Sequence, residues 1–342
     1  VKDLESHALS DGPTWSVTLT QTIDWPGRVS LRKAIAQRQV ALAQVGVAQF
    51  RRVLSGKVQV LAWRVLAGQE KARALQQVSG RLEGLAAVLL QRDPAGIAPK
   101  MEAQIIRANA LTLGAERAAS LNELSSARFE LNQLMGERAE HVIEVEGEKL
   151  VMVPPPPLEQ LLEAARGDNF DLKVRKLDVE QQGFEVLLAQ NQRWPSITVQ
   201  PYIQRQTNQT RETQTGLGVS IPLPLWDLQK GSVESAKARQ TQAEVLLNAQ
   251  LRQLEREVAT EASHYRIHVQ ELAKWPSDML EEYRATAEEA DEHFRLGAVP
   301  LSTYIELQRQ YLESVKAVLS SQLGAIEARV ALEQLTGRAL ER

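Results

Sequence analysis

Apolar and polar residues change rhythm along this chain, and each rhythm marks an element. In residues 14–24, Val17, Leu19 and Ile23 alternate with Ser16, Thr18, Thr20 and Thr22. A period of two predicts one strand with an apolar and a polar face. Trp25-Pro26-Gly27 ends it. Residues 29–91 contain no proline and are rich in Ala, Leu, Gln and Arg. They predict one helix, roughly 90–95 Å long at about 1.5 Å per residue. Residues 93–99 predict a tight reversal. Residues 100–135 predict a returning helix capped by Gly136. Short β-like runs occupy 137–148, and Pro154 to Pro157 form a stiff extended linker.

The second half begins with a predicted helix over 158–192, stopped by Trp194-Pro195. Ile197, Val199, Pro201 and Ile203 then alternate with Thr198, Gln200, Tyr202 and Gln204. A polar turn over 206–213 leads to a second strand, 216–223, with Leu217, Val219, Ile221 and Leu223 on one face. Strands of about ten residues are long enough to cross a bilayer when tilted. A helix over 231–296, kinked at Pro276, follows. Gly297 to Pro300 reverses the chain into a last helix, 301–335. There Leu312, Val315, Leu319, Leu323, Ile326 and Val330 recur in steps of three and four, a coiled-coil seam.

The landmarks repeat. Trp25, Gly96, Pro99, Leu134 and Gly136 each stand 201 residues before Trp226, Gly297, Pro300, Leu335 and Gly337. In long paired helices an insertion would shift every later contact, so a spacing held this strictly points to two copies of one unit. Counterparts of the helix and strand at 158–203 would precede residue 1, so about 45–50 residues of the first copy are expected upstream. The expected fold class is mainly α with a small β part: long antiparallel helical hairpins plus antiparallel strands. The expected divisions are strands in 1–28 and 194–228, a first hairpin over 29–136, a linker over 137–157, and second-copy helices over 158–193 and 229–342.

Composition removes several classes of function. The chain has 342 residues, no cysteine and only five histidines. That leaves no disulfide framework, thiolate metal site or cysteine nucleophile. A net charge of −3 is too small to predict nucleic-acid binding. No apolar run approaches the ~18–20 residues of a spanning helix. There is no phosphate-binding loop, since Ser55-Gly56-Lys57 lacks the upstream glycine, and no serine elbow. An enzyme has no residues to work with, and no cofactor is expected. One ligand-like spacing exists, Glu261-x-x-His264-x-x-x-His268, which puts three candidate metal ligands on one helical face. A solvated helix face explains the same residues.

The motifs together resemble a known family. Trp25-Pro26-Gly27-Arg28 follows the first strand, and Arg92-x-x-x-Gly96-x-x-Pro99 marks the first tip. Val219 to Asp227 carries Ser-Ile-Pro-Leu-Pro-Leu-Trp, Phe294-Arg295-Leu296-Gly297 marks the second tip, and Leu-x-Gln-Leu-x-Gly closes each copy. In order and duplication these resemble the TolC-like outer-membrane factors (outer membrane efflux proteins), within them the heavy-metal-efflux, CzcC-like branch. The resemblance implies a homotrimer whose strands build a shared transmembrane β-barrel in contact with outer-membrane lipid. It also implies that the helical hairpins form a periplasmic tunnel. The implied function is a passive exit duct for metal cations or small toxic compounds, fed by an RND-type inner-membrane pump through a periplasmic adaptor. A type I protein-secretion duct is the alternative within transport. A soluble structural coiled-coil scaffold is the alternative outside it, though it leaves the duplicated strand–Trp–turn boundaries unexplained.

By the same resemblance, Arg92, Gly96, Pro99, Arg295, Gly297 and Pro300 belong to the tips that meet the adaptor; glycine and proline there also serve simply to turn the chain. The family's tyrosine, arginine and two aspartates at the second tip fall on Phe294, Val299, Thr303 and Glu306. Phe294, Thr303 and Glu306 are the gate candidates, and only Glu306 keeps an acidic charge. Three copies of Glu306 in a ring would select cations; a lone exposed helix glutamate is the other reading. Trp15, Trp25, Trp194 and Trp226, at strand ends, suit either a membrane interface or strand–helix packing.

Overall fold

The computed structural model describes residues 14–91, 97–146, 152–207, 211–222, 229–276 and 278–340. Element order is β1 (Thr14–Thr18), β2 (Gln21–Ile23), α1 (Arg28–Gln91), α2 (Ile97–Met135), α3 (Leu158–Asp168), α4 (Phe170–Asn191), β3 (Ile197–Thr207), β4 (Arg211–Ser220), α5 (Lys230–Leu272), α6 (Met279–Arg295) and α7 (Leu301–Thr336). The architecture is mainly α with one small antiparallel sheet. The chain divides into two compact units, residues 1–46 with 171–250 and residues 47–170 with 251–342.

The first unit holds the sheet. β3 is flanked by β1 and β2 on one side and by β4 on the other, all antiparallel. β1 and β2 share one register, from Thr14↔Gln206 through Thr18↔Tyr202 to Ile23↔Ile197. The expected single strand is therefore interrupted but not shifted. The interruption sits opposite Pro201: the Leu19 N–H donates to the Pro201 carbonyl at 3.0 Å, but proline has no N–H to return. The predicted polar turn over 206–213 is shorter than expected. The β3–β4 ladder continues to Thr207↔Arg211, and residues 208–210 lie outside the described residues. β4 ends at Ser220, so the expected strand over 216–223 is displaced toward the hairpin. Leu223 and Trp226 lie outside the described residues.

Trp25-Pro26-Gly27-Arg28 joins strand to helix, and its residues are chosen for that joint. Gly27 takes the left-handed conformation, φ +88°. Arg28 is buried and donates to Asp24 Oδ1 (3.1 Å), Asn191 Oδ1 (3.1 Å) and the carbonyls of Asn191 (3.3 Å) and Trp194 (2.6 Å). Asn191 Nδ2 returns a bond to the Pro26 carbonyl at 3.0 Å. The Trp25 and Trp194 rings stack with centroids 5.0 Å apart. A buried guanidinium is tolerated because a carboxylate and three oxygen acceptors surround it.

The second unit is helical, and its buried positions follow the seam rule. On α1, Leu75, Val78, Leu82 and Leu85 are buried, and on α2, Leu124, Ala127 and Leu131. Steps of three and four keep one stripe inward. α7 is buried on more of its circumference than a seam, because Tyr311, Val318, Ala325, Ala328 and Leu332 add to the predicted Leu312, Val315, Ile326 and Val330. The second-copy helix breaks at Asn169 into α3 and α4. Asn169 is buried and its Nδ2 donates to the Leu335 carbonyl at 2.9 Å. Pro276 marks a full break between α5 and α6, not a kink. Residues 137–146 form turns and irregular chain instead of the expected β-like runs.

The two closing motifs act alike. Gly136 and Gly337 both have positive φ, +75° and +68°. Four residues before each glycine, Asn132 donates to the carbonyls of Arg138, Ala139 and His141, and Glu333 accepts from the Leu340 N–H. Each pins the segment that follows its glycine.

Candidate functional site

The second tip is the best-defined candidate site, and its geometry starts from a helix end. α6 closes with a glycine turn. Gly297 has φ +76°. The Ala298 N–H reaches the His293 carbonyl (2.8 Å) and the Gly297 N–H the Phe294 carbonyl (2.9 Å). These are the paired bonds of a Schellman cap, which satisfy carbonyls that the helix leaves orphaned. Pro300 then caps α7 in extended geometry, φ −72° and ψ 154°, and its carbonyl receives the Tyr304 N–H at 3.1 Å. Gly297 and Pro300 are both exposed.

Behind the turn, α6 and α7 are clasped by polar rungs. Tyr304 is fully buried and its hydroxyl donates to Asp291 Oδ1 at 3.0 Å. One turn on, buried Gln308 donates from Nε2 to the Ala287 carbonyl at 2.6 Å. Asp291 also accepts from Arg295 Nε at 2.9 Å. The Phe294 and Tyr304 rings stack with centroids 5.1 Å apart. Burial, then the Asp291 charge, raises the Tyr304 pKa far above a tyrosine's ordinary value, so its hydroxyl remains a donor at any working pH. Arg81 of α1 pairs with Glu288 of α6 at 2.6 Å.

Of the predicted tip residues, Arg295, Gly297 and Pro300 come together here. Arg92 and Gly96 lie outside the described residues. Pro99 falls within the first turn of α2, which begins at Ile97 and where a missing N–H costs nothing. Of the gate candidates, Phe294 is half-buried against Tyr304 and Thr303 is exposed. Glu306 accepts from Arg309 Nη2 at 2.8 Å and from Gln310 Nε2 at 3.0 Å. These bonds, Arg309 first, hold its carboxyl below the usual glutamate range.

The metal candidates do not converge. Glu261 and His264 approach to 3.6 Å, but the His268 ring lies against Gly324 of α7, where an added Cβ would meet it at 2.7 Å. No group of three or more His, Cys, Asp or Glu able to hold a metal occurs among the described residues. Sequence reasoning missed Asp291, Tyr304 and Gln308. Their i, i+4 spacings, Asp291 with Arg295 and Tyr304 with Gln308, were the available signal. The repeat was no guide, because the residues 201 positions earlier are Leu90, Ala103 and Arg107.

The family profile described as outer membrane efflux protein matches residues 161–338. The chain belongs to that family. Membership places it in the outer membrane, with a periplasmic helical extension. It is 29% identical over 253 residues to the cobalt-zinc-cadmium resistance protein CzcC of Cupriavidus metallidurans, an alignment covering 72% of this chain and 59% of that protein. This chain thus spans less than two thirds of that relative. Its fold is similar to that of VceC from Vibrio cholerae, with a TM-score of 0.73 at 17% identity, covering 100% of this chain and 85% of that one. The Campylobacter jejuni CmeC outer membrane channel gives a TM-score of 0.76 at 14% identity, covering 95% and 71%. Membership sets aside the soluble-scaffold reading.

Proposed function

We propose that this protein is the exit duct of a tripartite efflux assembly: a homotrimer whose copies complete one β-barrel and whose helices enclose a periplasmic tunnel. The sheet carries this reading. By register, Val17, Leu19, Ile203, Leu217 and Val219 share one face, and in the single chain Val17 is 62%, Leu19 68%, Leu217 66% and Val219 59% exposed. The opposite face is polar. No described strand residue is buried. An uncovered apolar face suits lipid, and the two outer edges of the sheet need partners, because unpaired backbone cannot face hydrocarbon. Further copies of the chain supply those partners most simply.

In this assembly residues 1–28 and 194–228 serve the barrel, 29–136 forms the first hairpin, and 137–157 links the copies of the repeat. Residues 158–193 and 229–342 supply the second set of helices. The tips, with Arg92, Gly96, Pro99, Arg295, Gly297 and Pro300, receive the adaptor, and Phe294, Thr303 and Glu306 stand at the gate. An inner-membrane pump of the RND type supplies the energy. The likeness to a cobalt-zinc-cadmium resistance protein favours heavy-metal cations as cargo. The test is metal tolerance: loss of the gene sensitises cells to cobalt, zinc or cadmium, and the intact gene restores growth. Restoration by an Arg295→Glu variant at full strength, with adaptor crosslinking intact, contradicts the tip assignment. Unchanged metal tolerance in the deletion contradicts the cargo.

A further inference from the structure

The polar face of the sheet bears on what an ion meets inside the barrel. Register places β1, β2, β3 and β4 side chains on it without ambiguity. Apart from Glu212 it consists of serine, threonine, glutamine, two glycines and Tyr202. The Tyr202 ring lies over its cross-strand partner Gly216. Thr22 and Thr198 hydroxyls approach each other across strands at 3.4 Å. Glu212 is the one charged residue of that face among the described strand residues. It is exposed, stands opposite Gln206 and has no ion-pair partner among the described residues. Arg205, the nearest charge on β3, is paired with Trp15 and belongs to the apolar face.

We infer that the pore face of the described strands is electrically neutral along its length and that among them Glu212 alone gives it a sign, as a ring of carboxylates at the mouth away from the helices. This rests on the barrel reading above. The helices join the sheet at Ile23, Ile197 and Ser220, whereas Glu212 lies beside the hairpin at the opposite end. Amide and hydroxyl groups offer donors and acceptors alike, so they solvate either ion sign without preference. A ring of carboxylates gathers cations and repels anions at the mouth. Screening confines that field: the Debye length is about 8 Å at physiological salt, and a strand rises about 3.4 Å per residue. Gln206 and Gln204 feel Glu212, whereas Thr198, roughly 27 Å further down β3 by that rise, does not.

Residues 1–342 contain no cysteine, so single introduced thiols can be read cleanly. In the intact protein in lipid, cationic and anionic methanethiosulfonates are reacted with Gln206→Cys, Gln204→Cys and Thr198→Cys. The cation-to-anion rate ratio at Gln206→Cys exceeds that at Thr198→Cys by roughly three- to fivefold, the size expected for a unit charge a few ångströms away in water. Gln204→Cys shows a smaller excess. Adding Glu212→Gln brings both ratios down to the Thr198→Cys value. Equal ratios at all three positions, or an excess that survives Glu212→Gln, overturns the inference. The barrel reading fails separately, if Leu217→Cys and Val219→Cys label as fast as Thr198→Cys.

Discussion

The sheet and the second tip treat their side chains in opposite ways. Around the α6–α7 reversal, Tyr304, Gln308, Ala287 and Ala290 are all buried, and Asp291 meets a hydroxyl and a guanidinium within the same chain. In the sheet nothing described is buried, and its apolar face has no cover. The tip is finished by its own residues. On the reading proposed above, the sheet is finished only by a medium and by other copies. A region that satisfies its own polar groups reports on local stability, whereas a region that cannot reports on where the protein resides.

Perturbing the two regions should therefore give unlike results. Tyr304→Ala empties a fully buried site and should cost about 3–5 kcal/mol, seen as a lower thermal midpoint of the helical signal in detergent and in lipid alike. Leu217→Lys should cost about 2–4 kcal/mol of insertion stability near the bilayer midplane, measured by denaturant titration in vesicles. Gln200→Lys, on the other face, should change it little. Equal costs at 217 and 200 would erase the difference between the faces. Gly297→Ala forces a Cβ into a left-handed residue that has open space around it, so only the backbone penalty of about 1–2 kcal/mol is expected. Tyr304→Phe keeps the ring stack and removes one hydrogen bond, an effect of about 1 kcal/mol.

The smallest effect is electrostatic. Glu306 titrates below the ordinary glutamate range because Arg309 and then Gln310 hydrogen-bond its charged form. A lowered folded pKa favours the folded tip above the unfolded value, and that contribution fades as pH falls through the lowered one. Arg309→Gln should move the Glu306 titration, followed by carboxyl NMR, back upward. An unmoved titration would show that Arg309 does not hold the Glu306 charge.

The strand faces were legible from residue types because alternation survives wherever one side is apolar. The hairpin end was not, since Arg205, Thr213 and Thr215 replace the apolar residues there and the pattern fades before the ladder does. Pro201 could be read as part of a strand, but its effect on the neighbouring strand needed the register. The break at Asn169 depends on a carbonyl at Leu335, far away in sequence, and no local rule anticipates it. The tip turn was visible in Gly297 and Pro300. The clasp behind it was not, because pairing Tyr304 with Asp291 and Gln308 with Ala287 requires knowing how α6 and α7 are aligned.

The placement of the sheet can be measured by spin labels at 217, 219, 200 and 214 in the intact protein in lipid. Collision with oxygen, which concentrates in hydrocarbon, is compared with collision with a water-borne nickel chelate. Labels at 217 and 219 should favour oxygen, and those at 200 and 214 the nickel chelate. Chelate-dominated collisions at all four positions would place the sheet in water and contradict the membrane barrel.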